Sequence, residues 1–562
     1  MKELKLSTDK LNVQLIARIC VQKGMRHAVI SPGSRNAPLM VAFNREEEIR
    51  CHVVVDERSA AFYALGIAQQ TGEAVALICT SGTALLNYAP AVAEAFYQRI
   101  PLMILSADRP QEWIDQDDSQ TIRQFKVFAP YVKASYQLPV ESSRQADEWY
   151  INRSVNEAFN LMMCDRKGPV HLNIPLDEPL FNQGEQIAEN PRIFNKISDH
   201  RGISKQEMLA LTSRIASCKK VMVLASLLNP STQLEQALRK ISKLPNVIIL
   251  TETVSNLNDP AFISCIDRTI CRIPKESKED FNPELLISFG GAVISKFIKT
   301  RLKEFPPLEH WYVGKEEFAI DTFTSLTLQV DCNPALFAEQ LAASVKGLSI
   351  QSDYAAKWLV LNKVADIRHE EYLNNTVWSD LKAFSLIIPA IPEKSRLQLS
   401  NGTTIRYHQL FKGCKASRVN CNRGTSGIDG STSTAAGAAS VFSGITTLIT
   451  GDMSFLYDSN ALWNNRLSPN LKIIVINNGG GGIFRFIKGP SELEELESYF
   501  ETPHGLDISK LASLYRLDYF RAEDELTLEK SLGSFYETTN TAILEVVTPR
   551  FENDTILRKY FK

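Results

Sequence analysis

Short apolar, β-branched runs recur along the first third of the chain, each closed by a polar turn and followed by a helical stretch. Ala28 to Ile30 leads into Ser31-Pro32-Gly33-Ser34-Arg35, and Val53 to Val55 into Asp56-Glu57-Arg58 and a predicted Ala-rich helix over Ser59 to Gln70. Val75 to Cys79 stops at Thr80-Ser81-Gly82-Thr83, ahead of another Ala-rich helix, and Leu102 to Leu105 precedes Ala107-Asp108-Arg109-Pro110. Strand, polar turn and helix at this spacing predict a parallel sheet with helices on both faces. A polar stretch from about Asn182 to His200 reads as a linker. The middle third repeats the alternation, with strand candidates at Val221 to Ala225, Val247 to Leu250, Leu285 to Phe289 and Leu326 to Val330, and carries no phosphate-loop pattern. A second polar connection lies near Gly347 to Tyr354. A helix then opens the last third, and strand-turn-helix alternation returns through Asn422, Asp452 and Asn478. The fold class expected is α/β: three α/β domains with mainly parallel sheets flanked by helices, over residues 1–182, 200–346 and 355–562.

Bulk properties narrow the function. A chain of 562 residues is too long for one core, which supports three domains. Hydrophobic content of 44% and charged content of 22% are those of an ordinary globular protein. The net charge of −2 gives no electrostatic reason to expect nucleic acid or an anionic membrane as partner. The start, Met1 to Lys10, lacks an apolar signal core, and no stretch reaches the roughly 18 apolar residues of a spanning helix, so no stable membrane insertion is expected. The ten cysteines show no Cys-x-x-Cys spacing and read as buried reduced thiols. A cytoplasmic enzyme working on small molecules is the expectation.

Two turns in the last third carry specific chemistry. Ile445 to Thr450 reads as a buried strand ending at Gly451-Asp452, and Leu471 to Ile476 as a second ending at Asn477-Asn478-Gly479-Gly480, with a helix between them. Ligands of open α/β sheets bind beyond the carboxyl ends of the strands. A carboxylate and a side-chain amide would meet there beside a Gly-rich turn, a hard-oxygen site suited to Mg²⁺ with phosphate oxygens and water completing its shell. The expected ligands are the Asp452 carboxylate, the Asn478 amide oxygen and a backbone carbonyl near Gly480. Either turn alone is also an ordinary turn; it is their pairing on adjacent predicted strands that points to a metal. The pairing resembles the diphosphate-Mg²⁺ signature of thiamine-diphosphate enzymes, with Met453 where the usual third residue is Gly.

That resemblance gives Glu57 a task. As the first residue of a helix, an acid is stabilised by the macrodipole alone. In a thiamine-diphosphate enzyme, however, a carboxylate against N1′ of the aminopyrimidine favours the imino tautomer, whose 4′-nitrogen deprotonates C2 of the thiazolium. The turn Thr80-Ser81-Gly82-Thr83 resembles the pyrimidine-side turn of the superfamily. The resemblance therefore implies thiamine diphosphate held by Glu57, Ser81, Gly82, Thr83, Gly451, Asp452 and Asn478, with Mg²⁺, or Mn²⁺ in its place, on Asp452, Asn478 and Gly480.

The basic residues select within the superfamily. Ser31-Pro32-Gly33-Ser34-Arg35, Ser106-Ala107-Asp108-Arg109-Pro110, Ser119-Gln120-Thr121-Ile122-Arg123-Gln124 and Asn422-Arg423-Gly424-Thr425-Ser426-Gly427-Ile428-Asp429-Gly430 together resemble the 2-succinyl-5-enolpyruvyl-6-hydroxy-3-cyclohexene-1-carboxylate synthases of menaquinone biosynthesis. The resemblance runs the length of the chain. It implies a transferase that decarboxylates 2-oxoglutarate and adds the resulting succinyl carbanion equivalent to isochorismate. Both substrates are dicarboxylates, and Arg is the side chain suited to clamp a carboxylate with two hydrogen bonds. Carried over by motif, Ser34, Arg35, Arg109, Gln120, Lys296, Arg406 and Arg423 should line the substrate space, and Ile428 should wedge the cofactor into its bent form. The resemblance also implies a homodimer or a dimer of dimers. Gly402 stands where the family usually places Ser, and Ser119 precedes Gln120 where some relatives carry Asn.

Two competing functions call for different residues. Another 2-oxo-acid carboligase or decarboxylase, such as an acetohydroxyacid synthase, would favour an apolar acceptor pocket in place of Arg35, Arg109 and Arg423. A non-catalytic dicarboxylate-binding regulator would have no use for Glu57, Asp452 and Asn478 together.

Overall fold

The computed structural model describes residues 6–187, 190–197, 202–464 and 467–562. The chain forms two compact units. One comprises Met1–Ser198 with Gly424–Thr446 and Ser454–Leu471; the other comprises Asp199–Arg423 with Thr447–Met453 and Lys472–Lys562.

The first unit is built on a six-stranded parallel sheet. After β1 (Leu6–Thr8), the strands are β2 (His27–Ile30), β3 (Arg50–Val53), β4 (Val75–Cys79), β5 (Leu102–Asp108), β6 (Ser135–Gln137) and β7 (Val170–Pro175). Their spatial order is β3-β2-β4-β5-β7-β6, and β8 (Gln183–Glu185) pairs antiparallel with β1. Strands β4, β5 and β7 are buried at every position, as sheets covered on both faces require. The edge strand β3 differs from expectation: it spans Arg50–Val53 rather than Val53 to Val55. Its pairing stops at Ile30↔Val53, where β2 ends, and Val53 and Val55 are largely exposed.

Helix Glu57–Thr71 starts at Asp56, whose carboxylate accepts the Ser59 N–H at 2.9 Å, and ends at Gly72 in the left-handed conformation. It packs on helix Ser431–Ser440, the small-residue run Ser-Thr-Ser-Thr-Ala-Ala-Gly-Ala-Ala-Ser. The composition of that run follows from the closeness of the crossing. A Cβ on Gly66 would lie 2.0 Å from the Thr434 carbonyl oxygen, and one on Gly437 would lie 2.0 Å from that of Tyr63.

The second unit holds two sheets. The middle sheet contains β9 (Val221–Ala225), β10 (Val247–Thr251), β11 (Leu285–Phe289), β12 (Glu309–Val313) and β13 (Leu326–Val330) in the order β10-β9-β11-β12-β13, all parallel. The last contains β14 (Arg396–Leu399), β15 (Arg418–Cys421), β16 (Thr446–Gly451), β17 (Leu471–Asn477), β18 (Asp518–Ala522) and β19 (Ala542–Val547) in the order β15-β14-β16-β17-β19-β18. The first and last sheets thus share one strand order, with the second strand outside the first and the third on its other side. Each has a switch point where consecutive crossovers diverge, between β2 and β4 in one and between β14 and β16 in the other. Ligands of doubly wound sheets bind at such points.

The α/β class agrees with expectation, and Val75–Cys79, Val221–Ala225, Leu285–Phe289 and Leu326–Val330 form the expected strands residue for residue. The helix expected after Gly451-Asp452 is short, Asp452–Tyr457, followed by a 3₁₀ turn at Ser459–Leu462. Of the linker expected from about Asn182 to His200, Gln183–Glu185 instead form β8, and 188–189 and 198–200 lie outside the described residues, as do residue 201 and the first five residues of the chain. Among the described residues, no helix is long and apolar enough to cross a membrane.

Candidate active site

Strand order places the predicted polar turns of the first unit side by side. The turns after β3 (Asp56-Glu57), β2 (Ser31 to Arg35), β4 (Thr80 to Thr83) and β5 (Arg109-Pro110) follow one another along the carboxyl edge of one sheet. At the switch point the second and third of these touch: a Cβ on Gly33 would lie 2.4 Å from Thr80 Cβ, so only glycine fits. Gly82 adopts φ +83 and lies against Gln120, whose Cα would be 3.3 Å from an added Cβ.

Glu57 is half-buried and makes no hydrogen bond or ion pair to any described residue. Its carboxylate helps to raise the pKa of Cys79, a thiol already pushed up by burial at the end of β4. Arg35 is 5% exposed; its Nη1 donates to the Leu176 carbonyl at 3.0 Å and its Nη2 lies 3.3 Å from Glu178 Oε1. Burial lowers its pKa, and the Arg109 guanidinium lowers it further. Arg109 reaches Asp118 at 2.8 Å and the Ser119 carbonyl at 3.0 Å. Both arginines therefore already hold protein partners, each including one carboxylate. Ser34 and Gln120 are exposed.

Beneath these turns lies a buried polar network that sequence reasoning missed. Gln124 Oε1 accepts the Gly82 N–H at 2.8 Å, while its Nε2 donates to the Ala107 carbonyl and to Asn173 Oδ1. Asn173 Nδ2 in turn donates to Asp108 Oδ2 at 2.7 Å. Burial pushes the Asp108 carboxyl up to about 6, against the hydrogen bond from Asn173. Gln124 was visible inside a motif, but nothing local marked it as the brace of the Gly82 turn.

Ile428 belongs to the same unit and is 42% exposed, with its carbonyl accepting Ser454 Oγ at 2.6 Å. Glu94, 1% exposed, fixes the start of that loop by accepting the Gly424 N–H at 2.7 Å and the Thr425 N–H and Oγ1 at 2.6 Å.

In the second unit the turns after β16 and β17 meet as predicted. Asp452 is 2% exposed; its Oδ2 accepts the Gly480 N–H at 2.9 Å and its Oδ1 the Met453 N–H at 2.7 Å. Asn478 Nδ2 donates to Asp380 Oδ2 at 3.2 Å, which leaves the amide oxygen as the free end. Asp380 is fully buried, and burial pushes its carboxyl up to about 6. The Gly480 carbonyl accepts the Gly482 N–H at 2.9 Å. His504 was not anticipated: its Nε2 lies 3.2 Å from Asp452 Oδ2, and that hydrogen bond raises its pKa. A Cβ on Gly451 or Gly402 would meet no atom within 4 Å. Gly402 adopts φ +85, a conformation costly for the Ser that the family usually places there.

The same unit contains a cavity of about 810 Å³ lined by Lys296, Thr403, Arg406 and Asp267 and by apolar Phe297, Ile483, Phe486, Ile487 and Phe561. Arg406 has no hydrogen-bonded partner among the described residues, and burial lowers its pKa. Arg423, 8% exposed, donates from Nη1 to Asn401 Oδ1 at 3.0 Å while its buried Nε has no partner.

These donors suit a diphosphate-bearing cofactor and a hard cation. Asp452 is a buried carboxylate held only by N–H groups, Asn478 presents its oxygen, and the space over Gly451 is open. Glu57 stands unpaired at the carboxyl edge of the other unit's sheet.

Comparison with known proteins agrees with this chemistry. Residues 12–127 match the N-terminal TPP binding domain of thiamine pyrophosphate enzymes, and residues 402–546 match their C-terminal TPP binding domain. The chain is 42% identical over 562 residues to the 2-succinyl-5-enolpyruvyl-6-hydroxy-3-cyclohexene-1-carboxylate synthase of Porphyromonas gingivalis, covering 99% of this chain and 97% of that protein. It is 44% identical to the enzyme of the same name from Flavobacterium psychrophilum, covering 98% of each, and 43% identical to that of Flavobacterium johnsoniae, again covering 98% of each. With such likeness along essentially its whole length, the chain belongs to the 2-succinyl-5-enolpyruvyl-6-hydroxy-3-cyclohexene-1-carboxylate synthase family of thiamine pyrophosphate enzymes.

Proposed function

We propose that this chain decarboxylates 2-oxoglutarate and joins the remaining succinyl unit to isochorismate, the step of menaquinone biosynthesis for which its family is named. When bound, thiamine diphosphate supplies the nucleophilic carbon and the electron sink. Glu57 would hold the proton shared with N1′ of the aminopyrimidine, and the turn from Ser81 to Thr83, braced by Gln124, would help to hold the pyrimidine end. Asp452, the Asn478 oxygen and a carbonyl at Gly480 would hold Mg²⁺, with Mn²⁺ a substitute of the same hard-oxygen preference. Gly451 would leave room for the diphosphate, and the exposed Ile428 would contact the cofactor.

The substrate carboxylates are held by cations. Lys296, Arg406 and Arg423 serve this role in the second unit, and Ser34, Arg35, Arg109 and Gln120 in the first. The observation that carries the reading is the cavity itself: Arg406 stands in its wall with no hydrogen-bonded partner among the described residues, and Lys296 and an apolar face line the same space. For Arg35 and Arg109, substrate binding means exchanging Glu178 and Asp118 for the substrate carboxylate, which keeps each charge paired.

The three-domain division at 1–182, 200–346 and 355–562 is part of this reading, supported by one main parallel sheet falling within each range. So are a cytoplasmic location, consistent with ten unbridged cysteines, and a homodimer or dimer of dimers in which two protomers share each site. The test is direct. Purified protein with thiamine diphosphate and Mg²⁺ should form the condensation product from 2-oxoglutarate and isochorismate, followed by mass spectrometry. Pyruvate outperforming 2-oxoglutarate as donor would defeat the proposal.

A further inference from the structure

The middle sheet has a switch point of its own, between β9 and β11, and there the protein fills the crevice with its own groups. Gly290 turns the chain at φ +96, where a Cβ would press on Leu227 O and Ser226 C at 3.0 Å. Glu252, 2% exposed just after β10, takes the place of a ligand anion. Its Oε1 accepts the N–H groups of Ile294 at 2.8 Å and Ser295 at 2.7 Å, and its Oε2 accepts Ser226 Oγ at 2.5 Å. Ser295 is the N-cap of helix Lys296–Glu304, with its Oγ accepting the Ile298 N–H at 3.1 Å. The single hydroxyl proton of Ser295 goes to Asp267 Oδ1, which fixes the direction of that cap. Two buried carboxylates thus meet on one serine, and the next residue is Lys296.

The charges facing this pair are cationic. Arg423 acts on Glu252, Arg406 and Lys299 act on Asp267, and Glu252 acts in turn on Lys299 and Arg406. Asp267, Lys296 and Arg406 line the same cavity. Burial raises the pKa of both acids, that of Asp267 to about 6. Lys296 and Arg406 line the cavity beside Asp267, while Lys299 and Arg423 act on the same acids from nearby. Removing either carboxylate would leave these cations without a buried counter-charge and loosen the turn that presents Lys296.

We propose that Glu252 and Asp267, joined through Ser295, are positioning residues that aim Lys296 and balance Arg406 and Arg423 for capture of a dicarboxylate. The apolar wall of Phe297, Ile483, Phe486, Ile487 and Phe561 assigns that dicarboxylate to the ring-bearing substrate, isochorismate. This assignment rests on the reaction proposed above.

The test uses Glu252→Gln, which keeps size and one acceptor oxygen but loses the charge, and Asp267→Asn. With the holoenzyme, each should raise the KM for isochorismate on the order of tenfold or more while kcat and the KM for 2-oxoglutarate change less than about threefold. Thiamine diphosphate affinity by calorimetry and the thermal midpoint should stay close to wild type. An unchanged isochorismate KM in both folded variants would overturn the proposal, and so would a KM increase that follows loss of cofactor affinity. If Glu252→Gln does not fold, Asp267→Asn and Ser295→Ala, which removes the shared hydroxyl, carry the same expectation. A second arm needs no turnover. Isochorismate added without 2-oxoglutarate should protect Lys296 from reductive methylation in wild type and lose that protection in the variants; equal protection in both would count against the network. A wild type that makes no product yet shows this protection would sink the proposed reaction and leave the positioning role standing.

Discussion

Glu57 and Asp452 share one local signature, an acid immediately after a strand of a parallel sheet, and that signature is readable without coordinates. Their partners are not. Gly82 is braced by Gln124, 42 residues away, Asn478 is oriented by Asp380, 98 residues away, and Asp452 meets His504 at a separation of 52. No periodicity or spacing rule links such pairs, because each depends on which strands become neighbours. At the residue scale, Glu57 is the sharpest case. Its first-turn position would be stabilising in any helix, yet its carboxylate has no partner among the described residues. Glu57→Gln should therefore leave folding and cofactor binding nearly intact, since size and shape are kept, while hydrogen–deuterium exchange at C2 of bound thiamine diphosphate slows by at least about a hundredfold. Exchange at the wild-type rate, followed by NMR after acid quench, would remove Glu57 from its assigned role.

At the scale of elements, unbroken apolar runs were the easiest to read. Val75–Cys79 and Val221–Ala225 are buried on both faces and announce themselves as unbroken apolar runs. β12, Glu-His-Trp-Tyr-Val, and the short β6, Ser-Tyr-Gln, carry polar residues and were not anticipated. Close approaches were equally silent, although they decide how elements meet. Gly33→Ala should destabilise the protein by about 1–3 kcal/mol by overpacking against Thr80. Because the clash is with Thr80 Cβ, Thr80→Gly should restore most of the loss; a double-mutant cycle in urea showing plain additivity would refute the contact. Helix Ser431–Ser440 supplies a pH-dependent case. Asp458, fully buried, accepts the Ser433 N–H and Oγ at 2.7 Å each, and burial pushes its carboxyl up to about 7. The folded state therefore binds a proton more tightly than the unfolded chain, so this contribution is fully present below pH about 4 and is lost as pH rises to about 7. The thermal midpoint of wild type should fall relative to that of Asp458→Asn across this window. Parallel curves for the two proteins would show that Asp458 does not titrate there.

At the scale of the whole molecule, the first and last sheets share one strand order, and each bears half of the proposed cofactor chemistry: Glu57 on the first, Asp452 and Asn478 on the last. A cofactor gripped at its two ends by two such sheets can be held within one chain or across two, and the proposed homodimer chooses the second. Two-fold symmetry then gives two equivalent sites per dimer, each taking Glu57 from one protomer and Asp452 from its partner. The choice has a consequence that needs only activity and subunit exchange to check. Homodimers of Glu57→Gln and of Asp452→Ala should each be nearly inactive, the first for want of the shared proton and the second for want of the charged Mg²⁺ ligand. In a mixed dimer, one site carries both lesions and the other carries neither. Equal mixing makes about half of the dimers mixed, so roughly a quarter of wild-type activity should return by the symmetry count. If each site drew both residues from one chain, every site in every mixed dimer would still carry a lesion, and no activity would return after exchange verified by native mass spectrometry.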